Sequence, residues 1–257
     1  MPRLSANLSI MFQEYAFIDR FAAAARAGFE AVECWFPYEI PKATLKTVLA
    51  DNNLKLVGIN SAPGDVAKGD WGLAIFPERR DDFLKTIDQA LDYAVELGVP
   101  GIHVLGGTMT DDTWTANTSY IESLQAALKR AEGSKVNLLI EPLNGRERPT
   151  YIVTRSDRCV EVINQIGHPQ LKLMFDVYHV QISEGDVITR LRKHFPHIGH
   201  IQIAAVPTRE EPDVGEVNYR AILQEIDALG WKGYVGCEYK PRTTTEAGLG
   251  WRETLLK

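Results

Sequence analysis

The sequence predicts an α/β protein built as a single (β/α)8 barrel. Three observations carry this. Short apolar, β-rich runs alternate with longer stretches of helical period, and strict alternation calls for parallel strands joined by crossover helices. Eight such runs are present, and 257 residues spread over eight units give about 32 residues each, the size of such a barrel. The competing open, doubly wound sheet would carry a Gly-rich phosphate turn after its first strand. Here the first run leads into M-F-Q-E-Y, without a glycine.

The eight runs are Leu4–Ile10, Ala31–Phe36, Leu54–Asn60, Gly101–Gly106, Val136–Glu141, Leu171–Asp176, Ile198–Ala204 and Tyr234–Glu238. Between them, Phe17–Ala27, Arg80–Leu97, Thr118–Ala131 and Ser156–Ile166 read as helices. In the second of these, Phe83, Ile87, Ala90, Leu91, Ala94 and Leu97 form one stripe, as a helix facing a sheet requires. Gly28, Gly98, Gly133, Gly167 and Gly230 follow helical stretches, where glycine ends a helix. The longest stretch without a periodic pattern, Ser61–Pro77, reads as a lid or binding loop. No linker or composition break divides residues 1–257, so one domain is expected.

Composition narrows the function. Hydrophobic residues make up 45% and charged residues 24%, which excludes a disordered chain. A net charge of −6 argues against a nucleic-acid binder with a basic surface. Three cysteines, Cys34, Cys159 and Cys237, form no C-x-x-C pair, so neither a disulfide framework nor a thiolate zinc site is expected. Buried thiols in a reducing compartment fit better. The N-terminus lacks a signal-peptide core, and no apolar run spans a bilayer. The expectation is a cytoplasmic protein without a membrane partner.

Chemistry in such barrels sits at the C-terminal ends of the strands. There the fifth run ends at Glu141, the sixth at Asp176 and the eighth at Glu238, and the seventh carries Gln202. Each lies about one βα unit from the next, so four oxygen-bearing side chains converge. Three carboxylates this close repel one another unless a cation lies among them. Carboxylate and amide oxygens suit a hard divalent ion, Mg2+ or Mn2+. Solvated loop acids or helix caps are the bland alternative for any one position, but not for all four.

The remaining polar residues sort around that point. His194, His197 and His200 mimic a helical metal face, but Pro196 breaks the helix, so no three-histidine site is expected. His200 shares strand parity with Gln202 and points into the barrel. His179, three residues past Asp176, is placed on the top-face loop, to hold substrate, move a proton or cap the next turn. His103 faces either the site or the core, and His168 is a structural turn residue. Glu33 is expected behind the site. Arg209, Lys240 and Arg242 could grip an anionic substrate, with a surface ion pair as the alternative for Arg209 and more so for Arg242. Trp71 closes over a bound molecule or packs its loop onto the rim.

The motifs, in order, resemble the hydroxypyruvate isomerase family of the xylose-isomerase-like TIM-barrel superfamily. They are S-A-N-L-S-I-M-F, N-S-A-P-G-D with K-G-D-W-G-L, I-H-V-L-G-G, I-E-P-L-N, D-V-Y-H, H-I-Q-I-A, R-E-E-P-D-V-G-E-V-N-Y, G-C-E-Y-K-P-R and G-L-G-W. The resemblance implies Glu141, Asp176, Gln202 and Glu238 as metal ligands and Glu141 with Glu238 as the acid–base pair. It implies an aldose–ketose type isomerase that interconverts hydroxypyruvate and tartronate semialdehyde through an enediolate, with Arg209 or Lys240 on the carboxylate. Gln202 matches the hydroxypyruvate and 2-oxo-tetronate isomerases, where the related ketose 3-epimerases place histidine. Glu147 instead matches the epimerases, in which that acid contacts the sugar. The order of expectation is therefore hydroxypyruvate, then 2-oxo-tetronate, then a ketose, with homo-oligomerisation possible. A metal-dependent endonuclease of the same superfamily is the alternative from another class. The acidic balance and the scarcity of histidine at predicted top-face loops argue against it.

Overall fold

Eight parallel strands pair in chain order and close into a barrel in this computed structural model, which describes residues 1–109 and 113–256. They are β1 (Arg3–Asn7), β2 (Ala31–Glu33), β3 (Lys55–Asn60), β4 (Gly101–His103), β5 (Asn137–Ile140), β6 (Leu171–Asp176), β7 (Ile198–Ile203) and β8 (Tyr234–Cys237). Closure comes from β1 lying beside β8, with Ser5 opposite Gly236 and Ala6 opposite Cys237. Every predicted run overlaps its strand, the first strand beginning one residue before its run at Arg3, and several strands stop early. Leu4–Ile10 yields a strand only to Asn7, because the Asn7 carbonyl accepts the Met11 N–H and turns the chain there. Glu141 and Glu238 consequently sit one residue past β5 and β8.

Helices cover the outside: α1 (Asp19–Arg26), α2 (Lys42–Asp51), α3 (Arg80–Leu97), α4 (Thr113–Ala131), α5 (Ser156–Ile166), α6 (Val177–Ser183), α7 (Val187–His194), α8 (Tyr219–Ala228), α9 (Thr245–Gly248) and α10 (Trp251–Leu255). The α3 stripe is buried at Phe83, Ile87, Ala90, Leu91 and Ala94, with Leu97 at its margin. Each fully buried large aliphatic or aromatic side chain of this kind contributes about 1.5–3 kcal/mol of transfer free energy. Cys34, Cys159 and Cys237 are buried free thiols. No helix among the described residues is long and apolar enough to cross a membrane.

The barrel interior is polar toward its C-terminal mouth. Strand alternation puts Ala6, Val32, Ile201 and Ile203 in the apolar cluster under the helices. Ser5, Asn7, Glu33, His200 and Gln202, of opposite parity, hydrogen-bond to one another inside. Gly236 makes this possible. A Cβ there would lie 2.6 Å from both Glu33 carboxylate oxygens, so any side chain would evict the acid.

Candidate active site

A cavity of about 230 Å3 opens at the C-terminal mouth, lined among others by Trp35, Trp71, His103, Glu141, His179, Arg209 and Glu238. A larger cavity, of about 490 Å3, lies at the opposite mouth among Arg3, Lys55, Gly101 and Gly199. It gathers no cluster of carboxylates, so the smaller cavity is where chemistry can occur.

Glu141, Asp176 and Gln202 each bring one buried oxygen without a hydrogen-bond partner: Oε1, Oδ2 and Oε1. Asp176 spends its other oxygen, Oδ1, on the Tyr178 N–H at 2.8 Å, which caps and starts α6. Glu141 Oε2 lies 3.3 Å from His103 Nδ1. Glu141, Asp176 and His179 each present an atom within 4.8 Å of the others, a buried group whose two acids are able to hold a divalent ion. Burial, with the charges of Glu238 and Asp176, pushes the Glu141 carboxyl well above its ordinary range. Burial also raises Asp176 to about 7 against the pull of Arg209. These acids lack the partners that buried anions need, and a cation would supply them.

Gln202 is oriented from below. Its Nε2 donates to Glu33 Oε1 at 2.7 Å, and a carboxylate only accepts, so the amide oxygen must face the site. Glu33 also accepts from Asn7 Nδ2 at 3.2 Å, Ser5 Oγ at 3.3 Å and His200 Nε2 at 2.7 Å. Burial alone would raise the Glu33 carboxyl, but His200, Gln202 and Asn7 outweigh it and hold it below its ordinary value.

Glu238 has both oxygens engaged. Oε1 accepts from Asn7 Nδ2 at 2.8 Å and Trp35 Nε1 at 2.7 Å, and Oε2 accepts from Arg209 Nη2 at 2.6 Å. Arg209 Nη1 reaches Glu147 at 2.7 Å, and Glu147 accepts from Tyr178 Oη at 2.7 Å. Arg209 is thus a partly buried strut between the buried Glu238 and the exposed Glu147. Its backbone is held at φ 60°, a left-handed conformation costly for a side-chain-bearing residue, by the Arg209 N–H to Ala205 O and Lys240 N–H to Arg209 O bonds, both 2.7 Å.

His179 occupies the first turn of α6, not a loop, because Asp176 nucleates that helix. Its Nδ1 accepts the Asn144 N–H at 3.0 Å, so the neutral ring carries its proton on Nε2. Nε2 lies 3.6 Å from Asp176 Oδ2 and 3.9 Å from Glu141 Oε1. The ring therefore offers the site an N–H donor. Burial, then Arg209, keeps it neutral by pushing its pKa well down, and burial drives His103 to about 3.

The other predicted residues divide. His103 faces the cavity, and Trp71 and Lys240 line it. Arg242 turns away to pair with Glu211 and Asp213. His194 ends α7 and His200 lies in β7, so no three-histidine site forms. Sequence reasoning missed Asn7, Trp35 and Arg148. Asn7 had a signal, a polar residue of inward parity, hidden by reading the first strand as too long. Trp35 and Arg148 had none beyond proximity to Glu33 and Glu147.

Comparison with known proteins fits this geometry. The family model for a xylose isomerase-like TIM barrel matches residues 21–255. The chain is 48% identical to a 2-oxo-tetronate isomerase of Cupriavidus necator, over 100% of this chain and 99% of that protein. It is 39% identical to a hydroxypyruvate isomerase of Escherichia coli, over 98% of this chain and 99% of that one. A solved structure from Brucella melitensis, described as an AP endonuclease of family 2, superimposes with a TM-score of 0.96 at 37% identity, covering 99% of each chain. A closed eight-stranded barrel matched end to end by such relatives leaves one assignment: the chain belongs to the xylose isomerase-like TIM barrels and, among them, to the hydroxypyruvate and 2-oxo-tetronate isomerase family.

Proposed function

We infer that this protein isomerises a short 2-oxo sugar acid, with 2-oxo-tetronate ahead of hydroxypyruvate. The observation that carries the reaction type is the set of buried, unpartnered oxygens on Glu141, Asp176 and Gln202 beside Glu238. The 48% identity to a 2-oxo-tetronate isomerase, against 39% to a hydroxypyruvate isomerase, reverses the order of substrates expected from the motifs.

Glu141, Asp176, Gln202 and Glu238 would hold the divalent ion, and their all-oxygen chemistry suits Mg2+ or Mn2+. When bound, the ion supplies Lewis-acid stabilisation of negative charge developing on substrate oxygens. The proton work falls to the protein. One of Glu141 and Glu238 removes the proton from the carbon beside the substrate carbonyl. That residue or its partner returns a proton to the former carbonyl carbon, while the hydroxyl proton passes to the former carbonyl oxygen, so the carbonyl moves by one position. Arg209 holds Glu238 at 2.6 Å and fixes its direction. The His179 Nε2–H faces the same space and can donate to a substrate oxygen.

A DNA-cleaving reading, raised by the Brucella description, is disfavoured by the net charge of −6. Among the described residues, one group of three acidic or imidazole side chains gathers, and it contains a single histidine.

Proton NMR in D2O with metal-stripped protein, added Mg2+ or Mn2+, and each acid tests the proposal. Metal-dependent turnover with deuterium entering carbon is expected. An extra hydroxylated carbon recognised by the site should favour 2-oxo-tetronate in kcat/KM by roughly 10–200-fold. Faster turnover of hydroxypyruvate restores the original order, and turnover of neither sinks the reading.

A further inference from the structure

We propose that Arg148, lying on the face of Trp71 at the cavity mouth, receives the substrate's carboxylate and makes the site selective for sugar acids over uncharged sugars. This rests on the isomerase reading above and names a contact which that reading leaves open.

Three cations line the cavity: Arg148, Arg209 and Lys240. Arg209 is committed. Its two terminal nitrogens bond Glu238 at 2.6 Å and Glu147 at 2.7 Å. Giving up Nη2 would take the cation from the buried Glu238 beside Asp176 and Glu141, at a large electrostatic cost, and Nη1 is already held by Glu147. Lys240 is an exposed ammonium on a flexible stem. Arg148 differs from both. Its guanidinium carbon sits 3.9 Å from the centre of the Trp71 ring. Stacking of this kind uses the face of the guanidinium and leaves its edge donors free, in the fork that matches a carboxylate. Among the described residues no side chain takes those donors.

The platform is built from both sides. Trp71 stands on a tightly tied segment. Asp70 accepts two bonds from Arg79, at 2.8 and 2.7 Å, and one from the Asp65 N–H at 2.7 Å. Gly72 bridges to Gly106, and a Cβ on Gly72 would fall 2.3 Å from the Leu105 carbonyl oxygen, so the backbone lies directly on the loop after β4. Phe36 and Trp71 meet in a T-shaped pair, 6.4 Å between ring centres and 82° between planes. Arg148 arrives on a different loop, its N–H bonded to Asn144 O at 3.0 Å and its carbonyl accepting from Tyr151 N at 3.2 Å. Asn144 also sets the His179 ring through its own N–H. The cation and the proton-donating histidine are therefore positioned by the same short loop, which also follows Glu141 directly. A substrate with one end among the strand-end oxygens and the other under Arg148 needs a charged terminus, which a neutral ketose lacks.

The test compares Mn2+-loaded wild-type, R148K and R148A proteins on 2-oxo-tetronate and on erythrulose, which carries CH2OH in place of the carboxylate. For the acid, R148A should raise KM by about tenfold to a hundredfold with kcat changed far less, the size expected for a lost charged hydrogen-bond pair. R148K should fall between, keeping charge but not the fork. Erythrulose kinetics should be indifferent to both changes. Unchanged acid KM in R148A overturns the proposal. So does an equal loss on acid and ketose, which would make Arg148 only a loop-packing residue. If wild-type protein turns over no acid, the isomerase reading fails separately, and calorimetric binding of 2-oxo-tetronate decides this proposal. Binding weakened about tenfold in R148A supports it, and equal or absent binding in wild type and variant overturns it.

Discussion

Glu33 and Glu141 are two buried carboxylates in one barrel, and they are pushed in opposite directions. Glu33 is 3% exposed and accepts from four side chains, Ser5, Asn7, His200 and Gln202, which together hold it ionised. Glu141 is 4% exposed and keeps an oxygen with no donor at all. Burial is the same, so burial does not distinguish them. What differs is the supply of donors. The protein completes the shell of the acid that orients Gln202 and leaves oxygens of Glu141 and Asp176 without donors. A buried charge left unpaired costs stability, and a site that binds a cation retains that cost until the cation arrives.

That contrast can be broken experimentally. The largest effect falls on turnover: Glu141→Gln and Glu238→Gln should each lower kcat by about 10²–10⁴-fold, the usual loss for a proton-transferring side chain. In metal-free protein, Glu141→Gln should melt no lower than wild type, since it replaces a carboxyl whose ionised form the buried acidic cluster disfavours. Glu33→Ala should behave in the opposite sense. It strands His200 and the amides of Gln202 and Asn7, so a urea titration should show a loss of about 3–5 kcal/mol. Freed of its anchor, Gln202 should also weaken Mn2+ binding by about 10–100-fold, readable by paramagnetic resonance.

Metal addition is the next smaller effect. Mn2+ at about a hundred times its Kd should stabilise the wild-type protein by about 2.7 kcal/mol, visible as a raised Tm. A Glu141→Gln/Asp176→Asn variant should lose that rise. The smallest effect lies in the helical layer. Asp157 is held at about 2 by its bonds to Lys193 and Arg190. A carboxylate whose folded pKa is depressed stabilises above its unfolded value near 3.8, and that stability is lost as pH falls toward 2. Asp157→Asn should flatten this acid limb, by less than about 1 kcal/mol because the group is largely solvated.

The barrel was legible because its signals are local. Each strand is a short apolar run, each long helix a 3.6-residue stripe, and their alternation leaves few topologies. The four strand-end positions were legible by the same logic, since parity and strand ends place Glu141, Asp176, Gln202 and Glu238 at one mouth. His179 was read as a loop residue because a two-residue cap, Asp176 Oδ1 to Tyr178 N, is too short a signal to show a seven-residue helix. Arg209 was a natural candidate for the substrate anion, and nothing in its loop shows that Glu147 and Glu238 already occupy it.

The sequence by itself determined the chain's alternation, its family and the gathering of oxygen-bearing side chains at one mouth of the barrel. These depend on spacing and residue type, which are written along the chain. Only the tertiary structure decided which of those groups are satisfied and which are left wanting. Asn7 meets Glu238 across 231 residues, and Glu33 meets Gln202 across 169. The direction of an amide, the proton on an imidazole and the freedom of one arginine over another are set by such distant partners, because a hydrogen bond reads distance in space.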